Sequence, residues 1–137
     1  MTARPLSAFL LLALLHCACA VLNPPAEQQQ KALDDFIYAL RWQRYADAAA
    51  FFVADHRQAF LEQMTSLKDL NITEVRTVRR DLSEAGRRAE TRLEIDYYLL
   101  PSITLKTLSI DQTWRWFEGS ADSPQGFQII TPFPKFP

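Results

Sequence analysis

The chain has 137 residues, a formal net charge of −1, and 48% hydrophobic against 23% charged residues. That composition fits one globular domain. It lacks the basic excess of a nucleic-acid binder, so no nucleic acid is expected among its partners. Both cysteines precede residue 20, so whatever fold follows is built without an intramolecular disulfide.

In chain order, Arg4 precedes "LSAFLLLALL", an uncharged apolar run of about ten residues that is too short to span a bilayer and has the form of a secretory signal core. The residues after it, "HCACAV", offer several exits. Ala18-Cys19-Ala20 satisfies the small-x-small pattern for ordinary cleavage after Ala20, which would discard both cysteines. The same stretch resembles a bacterial lipobox, in which cleavage falls before a cysteine that is then acylated. Cys19, preceded by Ala18, is the leading candidate for lipidation, and Cys17, with Leu14 suitably placed, is the alternative. The expected division is a signal peptide over 1–19, of lipoprotein type, a tether over 20–26 stiffened by prolines, and a single domain over 27–137. The expected location is exported, in the periplasm or outer envelope, with the membrane as a partner through the acyl anchor. The "CAC" triplet has no folded context in which to hold a metal or run redox chemistry, and no metal or cofactor is expected.

Helices come first. "NPPAEQQQKALDDFIYALRWQRY" offers Asn23 as a cap, Pro24 at the first helical position and Glu27 near the positive end of the dipole, with Leu33, Phe36, Ile37 and Leu40 on one face. A short helix is predicted in Tyr45–Val53. A third begins with Asp55 as cap and buries Phe60, Leu61, Met64 and Leu67. After Leu70 the period changes to two. "NITEVRTVRRDL" reads as a strand with a bulge, "SEAG" as a turn, and "RRAETRLEIDYY" as a half-buried strand with Ala89, Thr91, Leu93, Ile95 and Tyr97 inward. "ITLKTLSIDQTWRWF" places Leu108, Ile110, Trp114 and Trp116 on one face, and "GFQIIT" closes a meander of about four antiparallel strands. The fold class is α+β, three N-terminal helices packed on a curved sheet. The tail "TPFPKFP" cannot continue a ladder and is expected to fold Phe133 and Phe136 back over the core.

The helix pair around "RWQRYADAAAFF" and the aromatic-rich closing strands "TWRWFEG" and "GFQII" resemble the nuclear transport factor 2-like superfamily, the cystatin-like cone shared with SnoaL-like proteins and with small bacterial lipoproteins of unknown function. The resemblance covers most of residues 26–131. It implies a curved sheet wrapped on helices, with an interior that holds a small molecule in some members and is filled in others.

Enzymes of that superfamily carry Asp, His or Tyr groups inside the cone. Here parity sends Asp96 and Asp111 to the solvent face, Asp34 and Asp35 point apart on a helix, and His56 lies at a helix start, so no catalytic residue is assigned. The aromatics Trp42, Tyr45, Phe51, Tyr97, Trp114 and Trp116 are the ligand-pocket candidates, with core packing as their competing role. Arg79, Arg80, Arg87 and Arg88 could meet a polyanion, but Asp81, Glu84 and Glu90 are interleaved with them. The leading functional class is a membrane-anchored binding or accessory protein of the cell envelope, taking a small apolar ligand, a peptide or an envelope protein. An interaction or structural lipoprotein with a filled cone is the alternative, followed by a cone-type isomerase, dehydratase or hydrolase. The outward sheet face is charged throughout, which predicts a monomer or weak dimer.

Overall fold

The structure is a computed structural model that describes residues 24–121 and 123–137. The expected signal peptide, Cys17, Cys19 and Asn23 lie outside the described residues. Three helices, α1 (Pro25–Arg41), α2 (Tyr45–Ala49) and α3 (Ala54–Ser66), precede four strands, β1 (Leu70–Ser83), β2 (Arg88–Leu99), β3 (Lys106–Phe117) and β4 (Gly126–Ile129). The strands form one antiparallel sheet in sequence order. This is the α+β architecture that the periodicity predicts.

Helix starts differ from the expected caps. Pro24 occupies the position before α1 and Pro25 is its first residue, where proline's missing N–H costs nothing. Val53 precedes α3, so Asp55 lies within the first turn, where its charge faces the positive end of the dipole without capping it.

The core is a run of aromatic rings between α1 and the sheet. Phe36 meets Phe52 and Trp114 edge-on, with centroids 5.8 and 5.9 Å away, and Phe52 stacks on Phe60 at 4.9 Å. Phe133 packs on Phe60 at 5.2 Å and Phe136 on Tyr97 at 4.9 Å, so the tail folds back as expected. Edge-to-face pairs of this kind add about 0.5–1.5 kcal/mol each beyond their area. Gln63 donates to the Pro134 carbonyl and holds the tail there.

Two register shifts in the β1/β2 ladder leave Thr73 and Val78 unpaired, where the sequence suggests a single bulge. Each shift moves one residue's parity. The second turns Arg80 to the inner side, where its guanidinium donates to Gln29 Oε1 at 2.5 Å and to the Ala26 carbonyl at 2.6 Å. The β1/β2 hairpin is thereby tied to the start of α1. Gly86 permits this approach: it sits at φ +84°, and a Cβ there would lie 3.3 Å from Pro25 Cβ. At the other side of the sheet, Ile129 N–H donates to the Phe51 carbonyl and Val53 N–H to the Ile129 carbonyl, which covers the edge of β4.

Candidate functional site

Two of the six candidate aromatics, Phe51 and Trp116, meet at a cleft of about 470 Å³ between α1, the chain just after α2, and the β3/β4 hairpin. Its size lies within the range of small-molecule sites. Trp116 stands edge-on to Phe127 at 5.2 Å, directly across the β3/β4 ladder, and Phe51 reaches from below, 6.1 Å from both Phe36 and Trp114. The floor of the cleft is therefore continuous with the rigid core. Along the rim, Lys31 and Asp35 pair at 2.5 Å one helical turn apart, and Gln125 and Gln128 supply amides from the hairpin. Gly119, at φ +86°, lets the hairpin loop close on itself, since a Cβ there would lie 2.9 Å from the Gln125 nitrogen.

The other four candidates are placed elsewhere. Trp114 and Tyr97 are wholly buried in the core; Trp114 donates its indole N–H to Thr91 Oγ1 at 3.1 Å. Tyr45 is half-buried against the core, and that burial pushes its hydroxyl pKa up. Trp42 is 60% exposed at the end of α1, beside Tyr38. The six aromatics thus do not line one cavity.

The space between α1 and the inner sheet face also holds polar groups, of which Gln29 and Gln112 were not singled out by spacing. Gln112, beside Thr91 in the β2/β3 ladder, is buried with both amide atoms unpartnered, and the Tyr97 hydroxyl and Gln29 Nε2 are also unpartnered. These are amides and hydroxyls, groups that bind and orient rather than move a proton at neutral pH. Among the described residues no group of three or more His, Cys, Asp or Glu side chains could hold a metal ion. His56 Nε2 lies 3.2 Å from the Ile130 carbonyl, which ties α3 to the end of the sheet.

On the outer face, Asp96 corrects the parity reading. It points outward but is covered, its side chain 13% exposed beneath Arg76 and Thr107. Those two hydrogen bonds hold its carboxyl below the usual range. Arg92 does the same for Asp111. The arginines of the hairpin are likewise engaged: Arg79 with Asp81, Arg80 with Gln29, Arg87 with Glu118 and Arg88 with Glu90. Among the described residues each of these four arginines thus has a partner.

No family model matches the sequence, and no curated protein matches it. Solved structures do resemble it. A sec-c motif containing protein from Psychrobacter arcticus superposes with a TM-score of 0.59 at 10% identity, over 82% of this chain and 63% of that one, so the chain spans less than two thirds of that neighbour. An LEH-like epoxide hydrolase of M. tuberculosis superposes with a TM-score of 0.52 at 12% identity, over 78% of this chain and 84% of that one. At such identities the likeness shows the fold alone, three helices packed on an open four-stranded antiparallel sheet in the manner of a cystatin-like cone.

Proposed function

We propose that this protein is an exported, acyl-anchored binding or accessory protein of the bacterial cell envelope, with the cleft between α1 and the β3/β4 hairpin as its binding site. The observation that carries the reading is the joining of Trp116, Phe51 and Phe127 into an apolar floor beneath the Lys31/Asp35 pair and the hairpin amides. Ligand sites combine such an apolar body with a few placed polar tips. The matching ligand is a small amphipathic molecule or a short peptide: a flat or branched apolar group on Trp116, with a polar end at the rim. The apolar run ending in Ala18-Cys19 is what supports an anchor, and an acyl chain there would hold the protein at a membrane, each buried methylene contributing about 0.8 kcal/mol. The ion-paired outer face supports a monomer or weak dimer.

Mass spectrometry of the full chain extracted from membranes tests both parts. The mature N-terminus should be an acylated Cys19, Cys19→Ser should release the protein from membranes, and a co-purifying small molecule should be lost in Trp116→Ala. An unmodified N-terminus after Ala20 overturns the anchor, and a bound molecule indifferent to Trp116→Ala overturns the site.

A second reading is favoured by one feature: rings fill the space between α1 and the sheet. A cone filled in this way suits an interaction or structural lipoprotein. That reading gains if no small molecule accompanies the protein and the wild type and Trp116→Ala retain the same envelope partner.

A further inference from the structure

A second cleft, about 480 Å³, lies where the end of α1 meets the start of β1, remote in sequence from the Trp116 hairpin and independent of the function proposed for it. Two aromatic side chains border it, Trp42 and Tyr98. The Arg41 guanidinium lies over the Trp42 ring at 5.2 Å and Tyr38 leans on it at 6.3 Å, so the most exposed tryptophan of the chain is also a supported one. An indole held in this way is a platform; burial is not what keeps it in place.

The remaining walls are polar, and each polar side chain is fixed by one bond to the main chain. Arg41 Nη1 donates to the Ile72 carbonyl at 2.8 Å, Gln43 Nε2 to the Leu70 carbonyl at 3.2 Å, and Asn71 Nδ2 to the Asp69 carbonyl at 3.1 Å. Thr73, the extra residue of the first bulge, donates to the Asp96 carbonyl at 3.0 Å. These bonds leave Gln43 Oε1 and Asn71 Oδ1 as acceptors and the rest of the Arg41 guanidinium as donors. Gln43 stands at φ +56°, a left-handed conformation that costs a residue with a side chain energy, and that conformation accompanies its reach to Leu70. No carboxylate lines the cleft.

A ligand matched to this arrangement has a flat face of weakly positive C–H groups for the indole and an edge of groups that both donate and accept. Apolar partners would leave the amides and the guanidinium unanswered, and a cation would meet Arg41. Pyranose rings with equatorial hydroxyls have the required form: their C–H faces are flat, and each hydroxyl donates to an amide oxygen while accepting from a guanidinium. We propose that the Trp42/Tyr98 cleft binds a gluco-configured saccharide, stacked on Trp42 and hydrogen-bonded to Gln43, Asn71 and Arg41.

The three tryptophans make the test site-resolved, since Trp42 borders this cleft, Trp116 the other, and Trp114 is buried. The purified full chain, 15N-labelled at tryptophan, is titrated with cellobiose and with N,N′-diacetylchitobiose. The Trp42 indole resonance should shift saturably at millimolar sugar with at least one of them, while those of Trp114 and Trp116 stay in place. Gln43→Asn keeps a residue tolerant of positive φ but withdraws the carbonyl from the cleft, and should weaken binding by about threefold to tenfold, the worth of one hydrogen bond. Saturation transfer to the sugar should be lost in Trp42→Ala and retained in Trp42→Phe, with an unshifted Trp114 resonance reporting an intact core. Absence of a Trp42 shift with both sugars, a response centred on Trp116, or equal affinity in Gln43→Asn would each overturn the proposal.

Discussion

The two faces of the sheet are made by the same strands and are held by different physics. On the inner face, Leu93, Ile95, Ile110 and Trp114 are almost completely excluded from solvent, and shape decides what fits. On the outer face, Arg76 bridges Glu94 and Asp96 while Arg92 faces Asp111 across the β2/β3 ladder; here charge and geometry decide. Alternation along a strand separates these two regimes by a single residue. The two proposed binding sites follow neither face's centre. Both clefts open at the sheet's margins: in one, Phe51, Trp116 and Phe127 extend the inner rings toward polar groups, and in the other the exposed Trp42 and the outward Tyr98 stand beside Arg41, Gln43 and Asn71.

The largest expected effect breaks the inner regime. Trp114→Ala removes a fully buried indole that meets Phe36 and Phe51, and it leaves the Thr91 hydroxyl without its donor. It should cost about 3–5 kcal/mol in urea unfolding. A loss below about 1 kcal/mol would mean that the inner face can collapse around the void, contrary to a close-packed core.

The next breaks the outer regime by pH. The folded-state pKa of Asp96 is depressed by Arg76 and Thr107, so the carboxylate contributes stability that is present above its unfolded pKa and is lost as the pH falls through the folded one. Asp96→Asn should therefore be less stable than the wild type at neutral pH, and the gap should close on acidification below the ordinary carboxylate range. The Trp114→Ala deficit should persist across the same range. Parallel stability curves for wild type and Asp96→Asn would show that the outer face works by packing instead of charge.

Much of this division can be read from the sequence. The alternation in "AETRLEIDY" places Ala89 through Tyr97 inward, and all five odd positions are buried. Parity reveals the face but not what covers it. Asp96 is outward and still nearly buried, because Arg76 arrives from a strand whose register depends on two bulges. Those bulges come from long-range pairing and leave only an irregular pattern in "NITEVRTVRRDL". The aromatic set divides between clefts and core for a related reason: residue type cannot tell a wall from a core. A signal for Trp42 did exist. It follows Leu40 by two residues, and a step of two on a helix turns about 200° away from the buried stripe. The Gln43 conformation and the pairing of Trp116 with Phe127 had no local signature.

A third prediction concerns the hairpin that ties β1 and β2 to α1. Glu84 and Ala85 sit at φ +53° and +55°, followed by Gly86 at +84°, so three successive residues occupy left-handed backbone and only the last suits it. Ala85→Gly relieves one of the two strained positions, offset in part by the extra freedom of the unfolded chain. The net gain should be roughly 0.5–1 kcal/mol, read as a higher melting temperature. A destabilised Ala85→Gly would mean that the turn is held by its surroundings so firmly that only the entropy cost is felt.

The smallest effect sharpens the comparison at the rim of the Trp116 cleft. Lys31 and Asp35 pair on an exposed helical face, with side chains 76% and 52% exposed. Water and salt screen such a pair, and holding two long side chains together costs entropy, so it is worth about 0.3–0.5 kcal/mol. A double-mutant cycle on Lys31→Ala and Asp35→Ala should return a coupling of that size, falling as salt is raised. This near-neutrality is what makes the pair informative. Because breaking it barely touches stability, any loss of a bound molecule in Lys31→Ala reports on the rim itself, whereas Trp116→Ala reports on the floor. A coupling several times larger that ignores salt would place the pair in a dry, structured environment, and the rim would then belong to the same regime as the core.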